Sequence, residues 1–148
     1  MNRSALLLAL VLPLTLAACG EPEDTHPGQP VAHRRAAFNQ LVKAFEPMGV
    51  MLREKEYKPE EFRKLAAKLD AVKESPWAFF LPDTNYPPTK ATDKVWSQPE
   101  QFEAARQKFL TAEGKLMEAA SGTDGAKVKA AYEELHDACR SCHKEFKK

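Results

Sequence analysis

The sequence predicts an all-α fold, an antiparallel four-helix bundle, from three features: four stretches whose apolar residues recur three and four apart, no stretch with the alternation of a strand, and one long proline-rich connection between the second and third stretches. Spacing of three and four keeps one face of a helix turned to a core. The first helix presents Phe38, Leu41, Phe45, Met48 and Leu52, with Pro47 and Gly49 predicting a kink or an early end. The second presents Phe62, Leu65, Leu69 and Val72 after Pro59, whose fixed φ suits a first turn. Residues 76–98, with Pro76, Pro82, Pro87, Pro88 and both tryptophans, Trp77 and Trp96, then cross one end of the bundle. The third helix carries Phe102, Ala105, Phe109, Ala112 and Leu116, opened by a Ser97/Glu100 capping box with Pro99 early, and stops near Gly122. The fourth runs Val128, Tyr132, Leu135, Cys139, Cys142, Phe146, capped by Asp124, with Lys144, Lys147 and Lys148 set against the negative end of its dipole.

Composition narrows the class of protein. A length of 148 residues suits one domain, and 22 basic against 21 acidic side chains leave no electrostatic footprint for nucleic acid. Three cysteines, an odd number, cannot all be consumed in internal disulfides. Residues 1–18 carry Arg3, then a leucine-rich run with no acidic residue, the layout of an export signal and too short to serve as a durable span. The run ends Ala17-Ala18-Cys19-Gly20, which resembles the lipobox of bacterial lipoproteins. That resemblance implies signal removal and lipid on Cys19, hence a periplasmic protein anchored to a membrane that it does not span. Gly20 stands where inner-membrane lipoproteins carry a retaining aspartate, which favours the outer membrane. Residues 19–30 hold three prolines and no apolar run and read as a flexible tether, leaving 31–148 as the bundle. Only Arg3 is lost with the signal, so the mature chain has no charge bias.

The remaining cysteines stand in Cys139-Arg140-Ser141-Cys142-His143, the pattern for covalent attachment of c-type haem at the C-terminal end of the bundle. Thiols at i and i+3 share one helix face and both reach the vinyl groups of one porphyrin, and the adjacent imidazole supplies the axial iron ligand. A thioredoxin-like pair needs a strand and helix context that this sequence lacks. A structural zinc site needs four converging ligands, and His26, His33 and His136 stand in no such spacing. A disulfide at i and i+3 strains a regular helix. One covalent haem c, held by Cys139 and Cys142 with His143 on the iron, is therefore the expected cofactor.

A haem motif at the end of a four-helix bundle, together with Ser75-Pro76-Trp77-Ala78-Phe79-Phe80 and Val95-Trp96-Ser97, resembles the cytochrome c′ family over nearly all of residues 31–148. The resemblance implies that the first helix covers the distal face of the haem, with Arg34 at the propionates and Phe38 over the iron. Low-spin relatives carry a methionine there; phenylalanine has no lone pair to donate, so a five-coordinate, high-spin iron is expected. A slip of one turn brings Leu41 over the iron with the same consequence. Met48 and Met51 lie two to three turns further on, about 15 Å or more at 1.5 Å per residue, and read as core residues. Lys147 stands where the family has an arginine beside the proximal imidazole, and Trp77 is expected near the haem edge.

The functional expectation is a binding and redox module: capture of nitric oxide or carbon monoxide, with electron exchange with a partner that the sequence does not identify. A six-coordinate low-spin electron carrier of the same fold is the alternative. No polar group in the expected distal pocket suits acid–base work, so no enzyme activity is expected. The family forms homodimers through its first two helices, but Glu60, Glu61, Arg63, Lys64 and Lys68 give the second helix a charged outward face, and the oligomeric state stays open.

Overall fold

The computed structural model describes residues 22–54 and 56–148; the stretch expected to be an export signal and Cys19 lie outside the described residues. In chain order the helices are α1 (Pro30–Arg53), α2 (Pro59–Val72), the single-turn α3 (Lys94–Ser97), α4 (Pro99–Ser121) and α5 (Gly125–Phe146), with a 3-10 turn at Trp77–Phe79. The four long helices form the antiparallel bundle. α1 packs on α2, α2 on α4, and α4 on α5. The fourth seam, α5 against α1, has little close backbone approach.

The apolar stripes meet in one core. Leu41, Ala44 and Met48 from α1, Phe62, Ala66 and Leu69 from α2, Phe109, Ala112, Leu116 and Ala120 from α4, and Val128, Leu135 and Ala138 from α5 are its buried members. Each of the fully buried Phe62, Leu116 and Leu135 contributes about 1.5–3 kcal/mol. One buried charge crosses the α2–α4 seam: Lys73 Nζ donates to Glu113, 2.9 Å away, and to Asp70, 2.5 Å away. Burial pushes the Glu113 carboxyl above its ordinary pKa despite the lysine.

Three local expectations differ from what is observed. α1 does not end near Pro47; it runs on to Arg53 with the proline inside it. The proline is exposed, while Met48 and Gly49 just beyond are buried, and their packing outweighs a lost helical bond of about 3 kcal/mol. The Ser97/Glu100 capping box does not form, because Ser97 is taken into α3 and Gln98 becomes the N-cap of α4 without a side-chain bond. Pro59 and Pro99 do open their helices, and Asp124 caps α5 by accepting from the amides of Ala126 and Lys127.

The third difference concerns the tether. Asp24 is buried. Its carboxylate accepts from the amides of Val31 (2.9 Å) and Ala32 (3.2 Å) at the first turn of α1, and from its neighbour His26 (3.1 Å). Burial raises the pKa of this carboxyl, but the amide donors outweigh it and hold the pKa below the ordinary range. The His26 ring stacks on Tyr86 with centroids 3.4 Å apart, and Arg35 donates to the Pro22 carbonyl. A left-handed turn at Gly28 and Gln29 folds the strap back into α1. The part of 19–30 from Asp24 onward is thus bound to the bundle, because its acid supplies the anion that an uncapped helix start lacks.

Gly49 of α1 lies directly against Tyr132 of α5: a Cβ there would collide with the Tyr132 hydroxyl and stand 3.1 Å from Arg53. Gly49→Ala gains up to about 1 kcal/mol of helix propensity but overpacks this contact by about 1–3 kcal/mol. We expect a net loss of about 1 kcal/mol, read as a lower denaturation midpoint; a stabilised variant would contradict the contact.

Candidate haem-binding site

The last two turns of α5 carry the motif. Cys139 is half-buried and packs against the core, Cys142 is half-buried, and His143 is exposed. Helical periodicity sets His143 two turns beyond His136 and three beyond Tyr132, on the face that those rings turn to α1. The two thiols are free rather than joined. Burial, and then the neighbouring Cys142, pushes the Cys139 thiol up to about 11, and burial raises Cys142 too. Both are protonated near neutral pH, unlike the low-pKa thiolate of a redox pair. Partial desolvation and the Lys147 charge hold the His143 imidazole below its ordinary pKa, which favours the neutral form that ligates metal.

The opposite wall follows from register. Phe45 of α1 stacks on Tyr132 of α5 at 4.4 Å and faces His136 at 6.1 Å, which closes the seam at one level. In an antiparallel pair, seven residues back from Phe45 corresponds to seven residues forward from Tyr132. That step leads to Phe38 on α1 and Cys139 on α5, and one turn further to Arg34 and His143. The aligned seam thus sets Phe38 and Arg34 across from the motif. Phe38 is half-buried and held edge-on by Trp77 (5.7 Å) and Phe80 (6.2 Å). Met48 is fully buried in the core, and Met51 accepts from the Lys58 amide, both toward the other end of α1.

Arg34 is only 5% exposed. One terminal nitrogen donates to the Phe79 carbonyl (3.0 Å) and Thr84 Oγ1 (3.2 Å), the other to the Thr84 carbonyl (3.0 Å) and Thr89 Oγ1 (2.8 Å). Its guanidinium lies over Phe80 at 4.6 Å and near Trp96 at 5.7 Å. Burial lowers its pKa, while Tyr86 and Asp24 raise it from a distance. Among the described residues no carboxylate pairs with it directly. The arginine therefore pins the long connection over this end of the bundle, and its Nε remains as a donor. Nothing in the sequence pointed to Thr84 and Thr89 as its acceptors, because isolated threonines in a loop carry no pattern.

Trp77 organises the wall behind Phe38. Its ring meets Phe80, Phe102 and Phe109, Arg106 lies over it, and its Nε1 donates to the Lys73 carbonyl. Phe102 in turn meets Phe146 at the end of α5. Two neutral thiols, a neutral imidazole, an apolar aromatic wall and a buried guanidinium without a paired acid are chemically matched to a flat apolar macrocycle that carries two carboxylates and a metal. The residues present fit haem.

Comparison with known proteins agrees. The family model described as Cytochrome C′ matches residues 29–147. Cytochrome c′ of Rubrivivax gelatinosus is 32% identical over 123 residues, 82% of this chain and 95% of the relative. The crystal structure from that organism has a TM-score of 0.78 at 30% identity, covering 85% of this chain and 100% of the other. Cytochrome c prime of Alcaligenes xylosoxidans, solved as the nitric oxide complex of one variant and the carbon monoxide complex of another, is 26% identical, with TM-scores of 0.78 and 0.77 and coverage of 85% of this chain and 98% and 99% of theirs. A family match spanning the whole bundle, over a site that fits haem, means that this chain belongs to the cytochrome c′ family.

Proposed function

We propose that the chain is an exported, lipid-anchored gas-binding haem protein that also exchanges electrons, with one haem joined by thioethers from Cys139 and Cys142 and ligated by His143. Haem supplies an iron that binds diatomic gases and changes oxidation state by one electron. The observation that carries the reading is Phe38, set by register across from the motif and clamped by Trp77 and Phe80. A clamped phenylalanine cannot ligate, so it leaves the sixth position open and excludes water from it. An apolar lid of this kind admits small neutral ligands such as nitric oxide and carbon monoxide more readily than charged ones. Arg34 reaches a propionate through its remaining Nε–H while it keeps the connection in place. Lys147, one turn beyond His143, retains a positive charge near the proximal imidazole without the planar fork of an arginine.

The ferric optical and EPR spectra test this reading, with the pyridine haemochrome establishing the attachment. A high-spin signal is expected, and the ferrous protein should bind nitric oxide on stopped-flow mixing. A purely low-spin, methionine-ligated signal with no gas binding would favour the electron-carrier alternative. Phe38→Met should convert the spectrum to low spin and slow gas binding, because a thioether then competes for the open position.

A further inference from the structure

The strap and the motif meet at one end of the molecule. Asp24 binds the first turn of α1, and Tyr86 lies beside it, with its hydroxyl 3.5 Å from that carboxylate. Thr89, hydrogen-bonded to Arg34, continues to Lys90, whose carbonyl accepts from the Lys148 amide at 2.7 Å. Ala91 bridges to Lys147, and the Thr92 amide donates to the Phe146 carbonyl. The end of the chain, the connection and the start of α1 thus form one continuous surface around His143.

That surface is basic. Arg140, Lys144, Lys147 and Lys148 accompany a single acid, Glu145, in the last nine residues, and the fold adds Lys90 and Lys94 from the connection. Lys94 pairs with Glu145 at 2.8 Å. Lys90, Arg140, Lys144, Lys147 and Lys148 are exposed and form no ion pair among the described residues. The helix dipole accounts for lysines in the last turn of α5, but not for Arg140 a turn earlier or for Lys90, which the connection delivers. Exposed acids of the strap and connection, Glu23, Asp83 and Asp93, stand against these, so the basic excess of this end lies on the side formed by Lys90 and the last turns of α5.

Chain length then chooses between partners. Five residue steps separate Cys19 from Asp24, a reach of at most about 17 Å when fully extended. We infer that the end bearing Cys142 and His143 is the membrane-facing end of this protein, docking Lys90, Arg140, Lys144, Lys147 and Lys148 on anionic lipid headgroups. The lipid on Cys19 holds it there; that part of the inference rests on the proposed lipidation, whereas the basic surface does not. An acidic protein partner would use the same charge, but the short strap brings the headgroups to this surface first.

The test uses the haem-loaded chain carrying Cys19→Ser, so that no lipid contributes, sedimented with vesicles of pure phosphatidylcholine or of phosphatidylcholine mixed with phosphatidylglycerol. Pelleting is expected only with phosphatidylglycerol, is expected to vanish at high salt, and should fall about tenfold or more in Lys144→Glu/Lys148→Glu. A control with the same change in net charge, Lys64→Glu/Lys68→Glu on α2, should keep its binding. Equal loss in both variants would overturn the inference, because net charge rather than this surface would be responsible. Absence of pelleting, or pelleting indifferent to lipid charge, would overturn it as well and leave the surface to an acidic protein. Mass spectrometry of the unmodified chain reports lipid on Cys19 separately, so failure of the anchor and failure of the surface are distinguishable.

Discussion

Cys139→Ala/Cys142→Ala should abolish covalent haem: the band that stains for haem on a denaturing gel disappears, and acidified organic solvent extracts the pigment. The thiols are the only groups at this end of α5 able to form thioethers, and both stand free and protonated. Either single substitution should leave one thioether and an altered pyridine haemochrome band. The double variant should also lose stability once its haem is extracted. A group that binds only the folded state at a thousandfold its Kd contributes about 4 kcal/mol, and α5 and α1 have little close backbone approach of their own. Covalent haem surviving in the double variant would refute the attachment.

Arg34→Ala should be the most damaging substitution outside the motif. It removes four charge-assisted hydrogen bonds, leaving the Thr84 carbonyl without the donor that serves it and Thr89 Oγ1 with the Ala91 amide alone. Bonds of this kind contribute about 1.5–3 kcal/mol each but not additively, so we expect a loss of about 3–5 kcal/mol in the chemical denaturation of the haem-loaded protein. Arg34→Lys keeps the charge but not the planar fork and should recover only part of this. Hydrogen exchange distinguishes the two tasks assigned to this residue. Faster exchange at Thr89 and across residues 80–90, with α4 and α5 still protected, identifies the pin on the connection. A shifted haem potential with exchange unchanged would mean that the propionate contact is its main task.

Much of the bundle was legible because it is local. Periodicity at three and four exposes a helix face within a few turns, and Asp124, Pro59 and Pro99 act on the residues beside them. The failures came where a local rule met a longer-range competitor. Pro47 should weaken α1, yet packing of Met48 and Gly49 carries the helix past it. Ser97 had the spacing of a cap, yet α3 claimed it first. The strap looked like linker because its single useful acid, Asp24, finds its amides only when α1 folds beside it.

The haem-binding site divides in the same way. Two thiols and an imidazole within five residues of one helix specify their chemistry by covalent spacing alone, so Cys139, Cys142 and His143 could be read without a fold. Which side chain stands across from them depends on the register between α1 and α5, set by the Phe45–Tyr132 stack and the close approach at Gly49. The bonds from Arg34 to Thr84 and Thr89 and the gathering of Lys90 with Lys147 and Lys148 likewise exist only once distant segments meet. Short-range geometry controls the helices and the spacing of the two thiols and the imidazole, so the amino-acid sequence carries both. Which side chains stand across from the motif was left to tertiary structure, because packing between segments far apart in the chain controls it.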